Sequence, residues 1–155
     1  MSDSSNLSIT VWQARMAELA LAAGCAERGE NAELLRELHE LLRGAPAPWA
    51  HLRGTAAETA QFEALLAAEA CASAALLLIA GRAGYMVSQG LGGRVMATVS
   101  LGSGSAEVSS AGADVSLALT GALAEAMSGP PNAASVATGP DERAAQRGSL
   151  SMRLN

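Results

Sequence analysis

The spacing of apolar residues changes once along this chain, near Gly84, and that change restricts the fold more than any other feature. Before Gly84, large apolar side chains recur every three or four residues, which is the period of an α-helix with one buried face. From Arg94 to Leu101, branched and small apolar residues fall on every second position, which is the period of a β-strand. Because helical segments come first and strands follow, the sequence predicts an α+β protein with a small antiparallel sheet.

The first half of the chain is predicted to form an N-terminal three-helix unit. Its first helix covers residues 7–23 and its second covers residues 30–43, where leucines form a stripe that ends at Gly44. These two helices form a hairpin. Two prolines interrupt the pattern after it, and Trp49 is predicted to fold back over the hairpin as an apolar anchor.

The third helix is predicted over residues 55–82, beginning at a capping box in which Thr55 and Glu58 bond to each other's backbone amides. It contains the alanine- and leucine-rich stretch 67–84, which allows three interpretations. A membrane span is disfavoured, because one charged residue near its centre costs about 2.5–3.5 kcal/mol and cancels most of the gain from the leucines and isoleucine. The other two, a buried central helix and a helix–helix interface between subunits, both stay open.

The acidic residues of this third helix are predicted to differ in their surroundings. Glu58 and Glu63 fall on its solvated side, whereas Glu69 lies deep in the apolar stretch. Glu69 is therefore a candidate buried charge, which requires a partner such as Arg82 or Arg94, or a bound proton.

Strands are predicted over about residues 85–120, followed by a short helix to Met127. A glycine- and serine-rich turn divides the alternating segments, which is typical of a β-hairpin. The segment after Asp114 fits two periods. We favour a strand to Thr120, and the alternative is that Asp114 caps a helix that starts at Val115.

Residues 1–127 are predicted to form a single α+β domain, and residues 128–155 a flexible linker that forms an extended C-terminal arm. Leu150, Met152 and Leu154 alternate with polar residues at the end of this arm. Three alternatives stay open for it: a terminal strand that closes the protein's own sheet, a strand that pairs with an exposed edge elsewhere, and plain disorder.

All ten basic residues of the chain are arginine, and this excludes two kinds of chemistry. Without lysine there is neither a Schiff-base lysine for pyridoxal phosphate nor a P-loop lysine for nucleotides, so we expect no cofactor. A net charge of −5 and few aromatic residues argue against nucleic acid as a partner.

No metal or catalytic site is predicted. His39 and Glu40 resemble the start of a zinc-binding helix, but Arg43 stands where the second histidine is needed, so we interpret His39 as a partly exposed surface residue. Cys25 and Cys71 are predicted to be small buried apolar residues in a reducing cytoplasm.

The leading hypothesis for function is a non-enzymatic, self-associating structural or adaptor subunit of a bacterial or phage-like assembly. It predicts a homo-oligomer or a protein partner, because an alanine-rich core buries little apolar area per residue. The alternative is a small binding protein that holds an apolar ligand between the third helix and the sheet. The candidate interface residues are Leu34, Leu38, Leu41, Ala68, Ala72, Leu76, Leu150, Met152 and Leu154.

Overall fold

A computed structural model describes residues 8–102 and 105–130, and it confirms the α+β fold. Helices come first, a three-stranded antiparallel sheet follows, and a last helix ends the described chain. The elements are α1 (Ile9–Cys25), α2 (Asn31–Arg43), a 3₁₀ helix (Ala47–Leu52), α3 (Ala56–Ala67), α4 (Cys71–Ile79), β1 (Gly84–Gln89), β2 (Val95–Ser100), β3 (Val108–Gly112) and α5 (Val115–Ser128).

Tryptophan side chains hold helices α1 and α2 together by a hydrogen bond and by ring packing. The indole Nε1 of Trp12 donates a hydrogen bond of 2.8 Å to the carbonyl oxygen of Leu41, in the last turn of α2. This carbonyl has no partner within the helix, because the last four carbonyls of an α-helix lack one. The ring of Trp49 is buried with its centroid 5.8 Å from that of Trp12. Trp49 therefore anchors the 3₁₀ helix over the hairpin, as predicted.

The predicted helix over residues 55–82 was wrong, because the structure divides it into α3 and α4. The Ala70 amide donates to the carbonyl of Leu65 and the Glu69 amide to that of Leu66, with Glu69 at φ 57°. This is a Schellman ending with a left-handed residue after the helix, a position that glycine usually occupies. A continuous helix of this length would span about 40 Å, whereas the break lets α4 turn and pack on α5.

Three strands form the sheet in the order β1-β2-β3, with antiparallel pairing throughout. Val95, Ala97 and Val99 of β2 point to the inner face and are buried, whereas Met96 and Thr98 point to the outer face. The alternation predicted for this segment is therefore confirmed. It sets one side of the sheet against the helices, and no other described element packs closely on the outer side.

The strand predicted up to Thr120 was wrong, and the alternative is confirmed. Helix α5 begins at Val115, where an Asp114 carboxylate oxygen accepts a hydrogen bond of 3.0 Å from the amide of Leu117. Ten of the fourteen residues of α5 are buried, because the helix packs on β2 and β3 and on α1, α2 and α4. A helix enclosed in this way needs no broad polar face, so its sequence was difficult to distinguish from that of a buried strand.

Two glycines permit this central packing. A Cβ atom on Gly112 would lie 2.5 Å from the backbone nitrogen of Ala118, and one on Gly121 would lie 2.5 Å from the hydroxyl of Ser110. These distances are shorter than atomic contact allows, so α5 approaches β3 more closely than any larger residue would permit. The small residues at these positions therefore permit close contact between α5 and the sheet.

The stretch 67–84 contributes to the core without being its centre. Its buried residues, Ala74, Ala75, Leu78 and Ile79, lie on α4, whereas its last residues lead into β1. In the part of the chain that the structure describes, none of the helices combines the length and the hydropathy required for crossing a membrane.

Candidate functional site at the free edge of the sheet

The predicted interface residues do not form one surface. Leu38 and Leu41 lie in the core of the chain, so they are not available to a partner, and Leu34 and Leu76 are half-buried against that core. The assignment of Leu38 and Leu41 to an interface was wrong, because a leucine stripe that covers the protein's own core has the same sequence pattern as one that faces a partner.

Ala68 and Ala72 are exposed at the junction of α3 and α4. Glu69 between them is also exposed, so the prediction of a buried charge was wrong. The reason is the break of the helix, which turns residue 69 out of the apolar face. The remaining candidates Leu150, Met152 and Leu154 lie outside the described residues.

Glu69 lines an open cleft of about 590 Å³ together with a polar cluster at the start of α5. In this cluster the Asn31 side-chain amide donates to the Asp114 carboxylate and, over 2.8 Å, to the hydroxyl of Ser116. The Ser116 hydroxyl in turn donates to the Asp114 carboxylate over 2.7 Å. Both carboxylate oxygens of Asp114 are therefore engaged in tying α5 to α2.

The protonation of Asp114 argues for a structural role. Burial raises the pKa of its carboxyl group, but hydrogen bonds from Leu117, Ser116 and Asn31 stabilise the ionised form and lower the pKa overall. A carboxylate with a low pKa is a weak base, so Asp114 is poorly suited to activate the Ser116 hydroxyl. The cluster caps α5 and holds it to α2.

His39 is buried, with 4% of its surface exposed, so the expectation of a partly exposed residue was wrong. Its ring stacks on Phe62 at a centroid distance of 4.4 Å, and its Nε2 lies 3.2 Å from the hydroxyl of Thr59. Burial is the main cause that lowers the pKa of His39, and the positive charges of Arg43 and Arg82 lower it further. The carboxylates of Glu58 and Glu63 oppose this shift in part.

This environment predicts a pH dependence of stability. Because the pKa of His39 is lower in the folded state, the unfolded state binds the proton more readily, and the free energy of unfolding should rise with pH up to the unfolded pKa of about 6.5. The stabilisation is complete above that value and is lost as the pH falls through the folded pKa. Urea denaturation between pH 5 and pH 8 measures it.

The matched variants separate the two histidines. His39→Gln should flatten the rise in unfolding free energy over this interval, whereas His51→Gln, at an exposed position, should retain it. An unchanged pH profile in His39→Gln would show that burial of His39 has no effect on its protonation.

Arg82 and Glu58 form a largely buried ion pair that the sequence did not predict, with side chains 6% and 19% exposed. The Arg82 Nη2 lies 2.6 Å from a Glu58 carboxylate oxygen, and Nε and Nη1 donate to the carbonyl oxygens of Leu52 and Leu78. Glu58 is therefore not on a solvated face, and Arg82 is not a partner of Glu69. The Thr55 hydroxyl does accept from the Glu58 amide, so the predicted helix start is confirmed, but the Glu58 carboxylate binds Arg82.

Strand β1 is a free edge of the sheet. Within the described residues it packs closely on β2 alone, whereas β2 and β3 are covered by α5. At the end of the β1–β2 hairpin, the Gly90 amide donates a hydrogen bond to the Arg94 carbonyl. Because hydrogen-bonded positions alternate along an antiparallel strand, every second residue before Gly90 also bonds to β2. By this alternation, the amides and carbonyls of Tyr85, Val87 and Gln89 point away from β2.

The side chains of this edge are apolar and exposed. Tyr85 is 51% exposed and Met86 is 66% exposed, and Met96 of β2 extends the exposed apolar surface on the outer face. The strand, GYMVSQ, contains neither a charged residue nor proline. We call Tyr85, Met86, Val87 and Met96, with the free backbone groups of β1, the edge surface.

Edge strands usually carry lysine, proline or a bulge, because an unprotected edge pairs with other chains. Sequence reasoning placed strands from about residue 85 but did not identify β1 as an edge. The absence of charge between Gly84 and Gln89 was the one available signal.

The cysteines are unpaired, and they differ from the prediction. Cys25 is exposed at the end of α1 and Cys71 is half-buried at the start of α4. Cys25 lines a second open cleft, of about 540 Å³, together with Arg28 and Arg94. Among the described residues, no three or more His, Cys, Asp or Glu side chains are grouped so that they could hold a metal ion.

Comparisons of this chain with protein-family models, with curated proteins and with solved structures found no match.

Proposed function

We propose that this chain is a non-enzymatic, self-associating structural or adaptor subunit of a bacterial or phage-like assembly. The observation that carries the proposal is the uncharged, exposed β1 edge with Tyr85 and Met86 beside it. The polar clusters of the described chain support the non-enzymatic part, since Asp114, Ser116 and Arg82 are each engaged in hydrogen bonds that hold elements together.

Association is driven by the pairing of the free backbone groups of the edge with another strand. Backbone amides and carbonyls at a free edge are solvated in the monomer, but they are also a template for strand addition by another chain. Burying the adjacent apolar side chains adds about 25 cal/mol for each Å² removed from water. Tyrosine and methionine are enriched at protein interfaces, whereas lysine, glutamate and aspartate are depleted there relative to the rest of the surface.

The alternative function, binding of an apolar ligand between the third helix and the sheet, is not favoured by any contact. Helix α5 packs on the sheet with one side and on α4 with another, so it fills the volume that such a ligand requires.

Light scattering coupled to size-exclusion chromatography tests the proposal. The full-length protein should elute as an oligomer of defined size, and Tyr85→Lys with Met86→Lys should shift it to the monomer, because each places a charge on the edge surface. The matched control is Leu21→Lys, which charges an exposed leucine on α1 that is 74% exposed and outside the edge surface. A monomeric wild-type protein at all concentrations would contradict the proposal.

We also propose a cytoplasmic location. The support is that Cys25 and Cys71 are free thiols in the structure, which is usual in a reducing compartment.

A further inference from the structure

We infer that the occupant of the edge surface is the same strand of a second copy, paired antiparallel about a two-fold axis at Val87. This rests on the proposed function, and it specifies which surface and which register produce the association. The two three-stranded sheets then form one continuous sheet of six strands, with β1 and its copy at the centre.

The register of the two paired β1 strands is determined by which backbone groups of β1 are not already bonded to β2. Its outward backbone groups belong to Tyr85, Val87 and Gln89, because the Gly90–Arg94 hydrogen bond assigns the other positions to β2. An axis at Val87 pairs this residue with the partner's Val87 and pairs Tyr85 with the partner's Gln89. All three outward residues then exchange hydrogen bonds in both directions. An axis at Met86 would leave Gln89 to pair beyond the end of the strand.

The side chains favour a second copy as the occupant. Two identical edges meet in such a pair, and like charges opposite one another would destabilise it, but β1 carries none. On the inner face the Tyr85 ring, which α5 leaves uncovered, lies over the partner's Gln89. On the outer face Met86 lies opposite the partner's Ser88, which places the Met86 side chains of the two copies diagonally across the new strand pair. Together with Met96 of each copy they form one apolar band.

The other free edge of the sheet is less suited to this pairing. Strand β3 is shorter and is flanked by α1, and the guanidinium of Arg28 donates to the carbonyl of Ala113 just beyond the end of the strand. A charged side chain at an edge opposes strand addition. The asymmetry between the two edges predicts a closed dimer rather than an open fibre.

Cysteine cross-linking in the full-length chain tests both occupant and register. In a Cys25→Ser and Cys71→Ser background, chains with Met86→Cys and chains with Ser88→Cys are co-expressed with tags of different size and oxidised with oxidised glutathione. Residues 86 and 88 face each other as a non-hydrogen-bonded pair with Cα atoms about 4.5 Å apart, which a disulfide spans. The disulfide-linked heterodimer should exceed both homodimers several-fold. Leu21→Cys is the control for random collision, and circular dichroism confirms that each variant is folded.

The outcomes separate this inference from the proposed function. An oligomer by light scattering without an 86–88 cross-link would overturn the inference and leave self-association through another surface. A predominant 86–86 homodimer would overturn the register. A monomer would overturn both proposals.

A last variant tests the competing occupant within the same chain. Leu150→Ser, Met152→Ser and Leu154→Ser together remove the alternating apolar residues near the end of the sequence. If β1 pairs with its own copy, the 86–88 cross-link should form to the same extent with and without these three substitutions. If residues 150–154 occupy the edge instead, the cross-link should be absent from the chain with the unaltered end and appear only in this variant, and the pairing of β1 with its own copy is then refuted.

Discussion

Replacing Arg82 with alanine is expected to lower the free energy of unfolding by about 3 kcal/mol, the lower end of the cost of removing one partner from a buried ion pair, because the Glu58 side chain is still 19% exposed. The Arg82 side chain is 6% exposed and satisfies three acceptors at once, namely the Glu58 carboxylate and the carbonyls of Leu52 and Leu78. Its removal leaves the Glu58 carboxylate without its cation. It also separates α3, the 3₁₀ helix and α4, which meet at this guanidinium.

Urea denaturation of matched variants checks this expectation. Arg82→Lys keeps the charge but cannot reproduce the forked geometry, so it should recover part of the loss. The control is Arg36→Ala, because Arg36 and Glu63 form an exposed pair at 3.8 Å, which contributes about 0–1 kcal/mol. Equal losses in Arg82→Ala and Arg36→Ala would show that the buried pair contributes no more than a surface pair.

Replacing Trp12 with alanine is expected to lower the free energy of unfolding by about 3–5 kcal/mol as well, by a different cause. Trp12 is fully buried beside Trp49, and its truncation leaves a cavity that rigid helices cannot close. The hydrogen bond from its indole to the Leu41 carbonyl is lost at the same time.

Trp12→Phe separates the two effects. It keeps most of the apolar volume and removes the donor to the Leu41 carbonyl, for which we expect a loss of about 1–3 kcal/mol. Val11→Ala, at the exposed neighbouring position, should change stability by about 0.5 kcal/mol or less. If Trp12→Phe is as stable as the wild type, the carbonyl at the end of α2 does not need the indole.

The sequence predicted the fold class from the change of period at Gly84, but it left the segment that forms α5 open between a strand and a helix. Val115, Leu117 and Leu119 alternate with smaller residues, which fits a strand, and the same segment also fits a helix that Asp114 caps. The Asp114 carboxylate accepts a hydrogen bond from the Leu117 amide, which favours the helix, and this contact forms only in the folded chain.

The break between α3 and α4 could not be predicted from the sequence for a related reason. Helices usually end at glycine in this way, and Glu69 takes the left-handed conformation despite the steric cost of its Cβ. The packing of α4 against α5 offsets that cost, and a contact between segments so distant in sequence has no local signal.

The candidate site was the least predictable part. A leucine stripe is visible in sequence, but whether it faces the chain's own core or a partner depends on which elements surround it. Leu38 was buried by the chain itself, whereas Tyr85 was left exposed because α5 covers β2 and β3 but not β1, and Met86 because it points to the outer face of the sheet.

The central position of α5 has a consequence for the order in which this protein can be made. The apolar faces of α1, α2 and α4, and the inner face of the sheet, are all covered by a helix that ends at Ser128, the last element along the described chain. While the ribosome synthesises the chain from its N-terminus, the part of those faces that α5 covers stays exposed until α5 has emerged. A nascent chain that stops before residue 115 exposes the surfaces that this helix should bury, and chaperones and proteases recognise such surfaces.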